Sequence, residues 1–129
     1  MEFKVYFDGG ESGPRAYGSW RVDFMGFSLT RSRLHFEPEG GEWLTSNMAE
    51  YRSLISALEF LQSVAGKRKY RVSIVGDSML VVNQVQMRWK VRKPHLLPLR
   101  DRCRELLKEF GHWKIEWRPR AENVQRFGH

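Results

Sequence analysis

One amphipathic segment, residues 47–65, limits the possible folds more than any other feature of the sequence. Its apolar side chains recur at the spacing of an α-helix, and a glycine at position 66 is typical of a helix end. The apolar stripe consists of Tyr51, Leu54, Ile55, Leu58 and Leu61. Strand-like alternation precedes and follows this helix. The chain therefore has to pack a long helix against a sheet, which predicts an α/β fold.

The remaining apolar patterns predict the order of the elements. Three strands come first, at residues 3–7, 18–25 and 27–36, and Gly26 is the expected turn of a hairpin. After the long helix we expect a strand at 70–75, helices at 78–86 and 95–110, and a last strand at 112–118. The order β-β-β-α-β-α-α-β predicts a mixed five-stranded sheet flanked by helices, in a single domain over residues 1–129.

The composition excludes several classes of protein. Lys and Arg number 22 against 15 Asp and Glu, so the formal net charge is +7, which suits a polyanionic partner. No apolar run is long enough to span a membrane and no secretory signal opens the chain, so a cytoplasmic location is expected. Cys103 is the single cysteine, which excludes an intramolecular disulfide, and its place on an apolar helix face predicts a core thiol.

Three carboxylates stand at element boundaries that such a sheet brings together. Asp8 ends the first predicted strand, Glu50 lies in the first turn of the long helix, and Asp77 follows the fourth strand. Because residues just past strand ends gather at one edge of an α/β sheet, we expect the three to meet there. Divalent cations make such a cluster tolerable, and oxygen ligands favour Mg²⁺ or Mn²⁺ over zinc. Two such ions can support phosphodiester cleavage.

Each of these acids also has a purely structural interpretation. Asp8 before two glycines is typical of a turn. Glu50 stands three residues after Asn47, the spacing of a capping box, and Asp77 suits the N-cap of the helix that follows. Only the coincidence of all three at one sheet edge favours the metal site.

Five segments of the chain resemble the type 1 ribonuclease H family, in particular its compact archaeal and bacterial members, and they follow that family's order. They are residues 6–10, 45–51, 75–78, 89–94 and 119–123. The resemblance implies the ribonuclease H-like fold with a short or absent C-terminal helix. It also implies a metal-dependent endonuclease that hydrolyses the RNA strand of RNA/DNA hybrids and leaves 5′-phosphate and 3′-hydroxyl ends.

The resemblance assigns roles to individual residues. Asp8, Glu50 and Asp77 would be catalytic and would hold two Mg²⁺ ions, with Mn²⁺ as a substitute. The expected partner is an RNA/DNA hybrid bound by a monomer. The implied substrate contacts are Gly9, Gly10, Asn47, Ser78, Trp89, Lys90, Arg92, Lys93, Arg120 and Asn123. Residues 88–104 hold seven Lys or Arg and one acid; a solvated helix face is the structural alternative, and the net charge favours nucleic-acid binding.

The chain departs from the family at its fourth carboxylate. The family has an aspartate four residues after the asparagine at position 123, whereas this chain has Phe127, which cannot bind a metal. His129 or the terminal carboxylate is one possible replacement, and Glu122 or Asn123 is another. Otherwise three carboxylates suffice, or activity is impaired. Two alternatives therefore stay open: a non-catalytic or impaired hybrid-binding protein, and a DNA-acting nuclease of the same superfamily. A methionine at position 87 also replaces a glycine common in the family.

Overall fold

The computed structural model describes residues 2–12, 15–36, 45–66 and 70–119 of the chain. The strands are β1 (Glu2–Ser12), β2 (Arg15–Phe24), β3 (Phe27–Phe36), β4 (Arg71–Gly76) and β5 (His112–Trp117). The helices are α1 (Ser46–Ala65), α2 (Met79–Val85) and α3 (Leu97–Leu107), and a 3₁₀ turn, Pro94–Leu96, leads into α3. The predicted order of elements is confirmed. The third helix is shorter than predicted, because its first turn is 3₁₀ and the helix ends at Leu107.

The strands form one five-stranded sheet in the order β3-β2-β1-β4-β5. β1 pairs with β2 in antiparallel fashion and with β4 in parallel, and β5 continues the parallel part. The predicted mixed sheet is therefore confirmed. The parallel ladder between β1 and β4 ends where Phe7 pairs with Gly76. Asp8 directly follows Phe7 and Asp77 directly follows Gly76, so both acids lie at the same edge of the sheet.

β1 is longer than the sequence pattern predicts. The prediction ended this strand at Asp8, but β1 continues to Ser12 because β2 pairs with it beyond the point where β4 stops. In this extension Asp8 pairs with Ser19 and Gly10 with Tyr17. The interpretation of Asp8 as a turn residue is therefore wrong.

The core lies between the sheet and the helices. Inward-facing side chains of β1 alternate with polar ones, and the predicted stripe of α1 is buried except for Ile55, which is partly buried. The fully buried side chains that join these layers include Val5, Phe7, Tyr51, Leu54, Leu58, Leu61, Leu106 and Leu107. Cys103 is also buried among them, and burial raises the pKa of its thiol. The prediction of a core thiol is confirmed.

The glycines at both predicted stops have a positive φ, which glycine adopts readily. Gly66 ends α1 with a φ of 62°, and its N–H donates to Gln62 O at 3.1 Å. Met25 and Gly26 have φ values of 49° and 82°, the signature of a type I′ hairpin turn between β2 and β3. Among the described residues, no helix is long and apolar enough to cross a membrane.

Candidate metal centre

Three carboxylates from three elements lie together at the carboxyl edge of the sheet. Asp8 extends from β1, Glu50 from the first turns of α1, and Asp77 from the bend between β4 and α2. Each offers one carboxylate oxygen, and these oxygens all lie within 4.8 Å of one another. All three residues are half-buried. The register of β1 and β4 thus places two of the acids, and α1 adds the third.

Gly9 is the residue that allows α1 to bring Glu50 to Asp8. A Cβ atom at position 9 would lie 2.6 Å from the carbonyl carbon of Ala49 and 2.8 Å from Cα of Glu50. Since real side chains do not tolerate such contacts, only glycine lets the helix backbone lie directly against β1. The Gly9 N–H also donates to Asp8 Oδ1 at 2.8 Å. The family resemblance assigns Gly9 only a substrate contact, so this packing role is not apparent in the sequence.

The structural interpretations of Glu50 and Asp77 are wrong, because other residues cap both helices. Thr45 is the N-cap of α1, and its hydroxyl accepts from the Met48 N–H at 3.3 Å. Ser78 is the N-cap of α2, and its hydroxyl accepts from the Val81 N–H at 3.1 Å. Neither Glu50 nor Asp77 is therefore the N-cap residue of the helix beside it.

The donor set of this cluster fits a hard divalent cation. Two carboxylates 4.8 Å apart repel each other by about 1 kcal/mol in bulk water and by about 3–4 kcal/mol at the effective dielectric of a half-buried site. Three such pairs are a substantial cost for a small domain, and a dication would remove it. The cluster supplies oxygen atoms alone, which suits Mg²⁺ or Mn²⁺ better than zinc.

A basic groove lies where the chain leaves α2. It has a volume of about 550 Å³ and is lined by Leu80, Gln84, Arg88, Trp89, Lys90, Arg92, Lys93 and Leu96. Trp89, Lys90, Arg92 and Lys93, four predicted substrate contacts, therefore line one surface, and Trp89 is 47% exposed. An aromatic side chain among cations is suited to a nucleic-acid strand.

Gln84 connects this basic groove to α1, a link that the sequence does not reveal. The residue is 3% exposed, and its Oε1 accepts from the Tyr51 hydroxyl at 2.6 Å. Its Nε2 donates to the Lys90 carbonyl at 3.4 Å. Burial raises the pKa of Tyr51, so the phenol stays protonated and remains a donor. The groove is thereby tied to the helix that carries Glu50.

The backbone turns into the groove at Met87. Its φ is 65°, a left-handed conformation that glycine adopts readily and methionine does not. The side chain is 56% exposed, and its sulfur accepts from Arg100 Nη1 at 3.2 Å. The structure thus explains physically why a glycine suits this position.

The comparisons with known proteins agree with this geometry. Residues 35–125 match the family described as "Reverse transcriptase-like". The ribonuclease HI of Halobacterium salinarum is 38% identical over 125 residues, which are 92% of this chain and 57% of that protein. The crystal structure of RNase H1 from the same archaeon superposes with a TM-score of 0.76 and 30% identity, over 95% of this chain and 89% of that one.

The chain belongs to the type 1 ribonuclease H family. The bifunctional protein Rv2228c of Mycobacterium tuberculosis is 34% identical over 129 residues, 96% of this chain and 33% of that protein. The structure of its N-terminal RNase H domain, a maltose-binding-protein fusion, gives a TM-score of 0.77 at 29% identity, over 98% of this chain and 95% of that one. The crystal structure of LC11-RNase H1 in complex with an RNA/DNA hybrid gives a TM-score of 0.76 at 25% identity, over 95% of this chain and 89% of that one.

This ribonuclease H family member spans only part of its curated relatives: 33% of the length of Rv2228c and 57% of the Halobacterium ribonuclease HI. It covers most of the solved domains, and the predicted ribonuclease H-like fold is confirmed. Among the predicted contacts, Gly10 lies in β1 two residues past Asp8, and Asn47 and Ser78 lie at the starts of α1 and α2. Arg120, Asn123, Phe127 and His129 lie outside the described residues.

Proposed function

We propose that this ribonuclease H family member is an endonuclease that hydrolyses the RNA strand of RNA/DNA hybrids and leaves 5′-phosphate and 3′-hydroxyl ends. The observation that carries the proposal is the cluster of Asp8, Glu50 and Asp77, whose oxygens lie within 4.8 Å of one another. Relatives named ribonuclease HI and a similar domain solved with an RNA/DNA hybrid support the choice of substrate.

The three carboxylates are the proposed catalytic residues and would hold two Mg²⁺ ions, with Mn²⁺ as a substitute. Divalent ions bound there would lower the pKa of the attacking water and stabilise the leaving 3′-oxygen. The chain's own part is to hold the carboxylates in place. Gly9 lets α1 lie against β1. The Thr45 cap fixes the start of α1, which carries Glu50, and the Ser78 cap fixes the start of α2, which follows Asp77.

The basic groove is proposed to bind the DNA strand of the hybrid through Trp89, Lys90, Arg92 and Lys93. Cations there neutralise backbone phosphates, so binding is expected to weaken steeply as salt rises. Gly9, Gly10, Asn47 and Ser78 lie within or beside the elements that carry the acids and are proposed to contact the strands near the cut. Arg120 and Asn123 are proposed contacts from the family resemblance alone.

The remaining features of the proposal rest on the sequence. His129 is proposed to replace the missing fourth acid, since Phe127 offers no ligand atom. A single-domain monomer over residues 1–129 in the cytoplasm is proposed from the size, the charge and the single buried cysteine. Replacement of His129 by alanine should lower the cleavage rate if its imidazole serves the site, and should leave the rate unchanged if three acids suffice.

The test is cleavage of an end-labelled RNA/DNA hybrid in Mg²⁺ and in Mn²⁺, with RNA/RNA and DNA/DNA duplexes alongside. Glu50→Gln and Asp77→Asn should abolish cutting. Glu59→Gln, which removes an exposed carboxylate from the same helix α1, is the matched control and should cut normally. Cutting of DNA/DNA instead would favour a DNA-acting nuclease. Salt-sensitive binding without cutting would favour the hybrid-binding alternative, for which Phe127 is the supporting observation.

A further inference from the structure

The last residue of β5 contacts the backbone of a proposed metal ligand. The indole Nε1–H of Trp117 donates to the backbone carbonyl of Asp77 at 2.9 Å, across 40 residues of sequence. Trp117 lies on the edge strand β5 and is 38% exposed, so it is not a core residue. Its indole N–H makes a specific hydrogen bond in addition to any packing at the sheet edge.

Two further hydrogen bonds join the same two segments. The Arg118 N–H donates to the Gly76 carbonyl at 2.9 Å, directly before Asp77. Gln86, which follows α2, donates from Nε2 to the Ile115 carbonyl at 2.5 Å. The stretch from Gly76 to Gln86, which contains Asp77 and α2, is thus bonded to residues 115–118 at both of its ends. The indole bond lies at Asp77 itself.

The backbone around Asp77 belongs neither to the ladder of β4, which ends at Gly76, nor to α2, which begins at Met79. The indole of Trp117 therefore bonds the Asp77 carbonyl at a position outside both regular elements. Since the direction of a side chain follows from its own backbone, a bond to the Asp77 carbonyl also restricts where the carboxylate points.

We propose that Trp117 is a positioning residue for Asp77: its indole N–H orients the peptide of the acid so that the carboxylate faces Asp8 and Glu50. The inference rests on the proposed metal site. In this role the indole N–H acts through the Asp77 backbone and does not bind the metal itself. The expected effect of losing it is therefore on metal binding and not on hybrid binding.

The experiment compares Trp117→Phe with Trp113→Phe. Both substitutions remove an indole from β5, but only the first removes the bond to Asp77; Trp113 contacts the Arg104 guanidinium instead. Loss of one neutral hydrogen bond should raise the half-saturating Mn²⁺ concentration about five-fold. The readouts are the Mn²⁺-dependent rise in melting temperature without substrate, the Mn²⁺ dependence of cleavage, and the KM for the hybrid. We expect the KM of Trp117→Phe and all three readouts of Trp113→Phe to stay unchanged.

Folded Trp117→Phe with wild-type Mn²⁺ dependence would overturn the inference, and so would a raised KM with unchanged Mn²⁺ dependence, which would indicate stacking on substrate. Asp77→Asn serves as the reference for the site. If Asp77→Asn keeps the full Mn²⁺-dependent rise in melting temperature, the proposed metal site itself is refuted. If Trp117→Phe does not fold, replacement of the indole N–H by sulfur in a benzothienylalanine at position 117 keeps the shape and removes only the donor.

Discussion

Met87→Gly is expected to stabilise the protein, because it removes backbone strain at the entrance to the basic groove. Met87 has a φ of 65°, and its side chain is 56% exposed. An L-residue in this conformation costs about 1–2 kcal/mol, which glycine does not incur. Replacing an exposed residue by glycine usually lowers stability, so a stabilisation by Met87→Gly would be informative.

Two terms oppose this gain. Glycine loses about 0.5–1 kcal/mol more backbone entropy on folding than another residue does. The substitution also removes the contact between the Met87 sulfur and Arg100 Nη1 at 3.2 Å, but thioether sulfur is a weak acceptor and the contact is exposed. The balance is a stabilisation of about 0.5–1 kcal/mol. For a domain of this size that corresponds to a rise in melting temperature of roughly 2–5 °C.

The measurement is urea unfolding together with thermal melting of Met87→Gly, Met87→Ala and the wild type. Met87→Ala loses the same side-chain contacts but keeps an L-residue in the left-handed conformation. We therefore expect it to be no more stable than the wild type. The difference between the glycine and alanine variants isolates the backbone contribution. If the two variants have equal stability, the strain at position 87 is not real and the reasoning is refuted.

Three further predictions concern the site and its support. Gly9→Ala should cost about 1–3 kcal/mol of stability and lower kcat, since its Cβ would displace α1 and with it Glu50; urea unfolding and cleavage rates check both, and an unchanged kcat would contradict it. Tyr51→Phe should cost about 1–3 kcal/mol in urea unfolding, because it leaves Gln84 Oε1 buried without its donor; wild-type stability would show that the bond contributes nothing. Lys90→Ala should reduce by about one the slope of log affinity against log salt, measured by fluorescence anisotropy with a labelled hybrid. An unchanged slope would remove Lys90 from the phosphate contacts.

Local patterns predicted the elements well because they depend on neighbouring residues. The stripe that includes Leu54 and Leu58 predicted α1. Gly66 marked the end of α1 and Gly26 the turn between β2 and β3, and both have a positive φ. Element ends were less accurate. Helix capping was assigned wrongly because Thr45 and Asn47 are both good caps, and the choice depends on where the helix actually begins.

The sequence by itself determined the order of the elements, the three acids and the basic segment, since each follows from patterns among residues that are close in the chain. Only the tertiary structure decided how these parts meet. The pairing of Phe7 with Gly76 sets Asp8 beside Asp77, and the contact of Gly9 with α1 adds the third acid. The bond from Trp117 reaches the site across 40 residues. Strand register and helix rotation result from the packing of the whole core, and no local spacing encodes them.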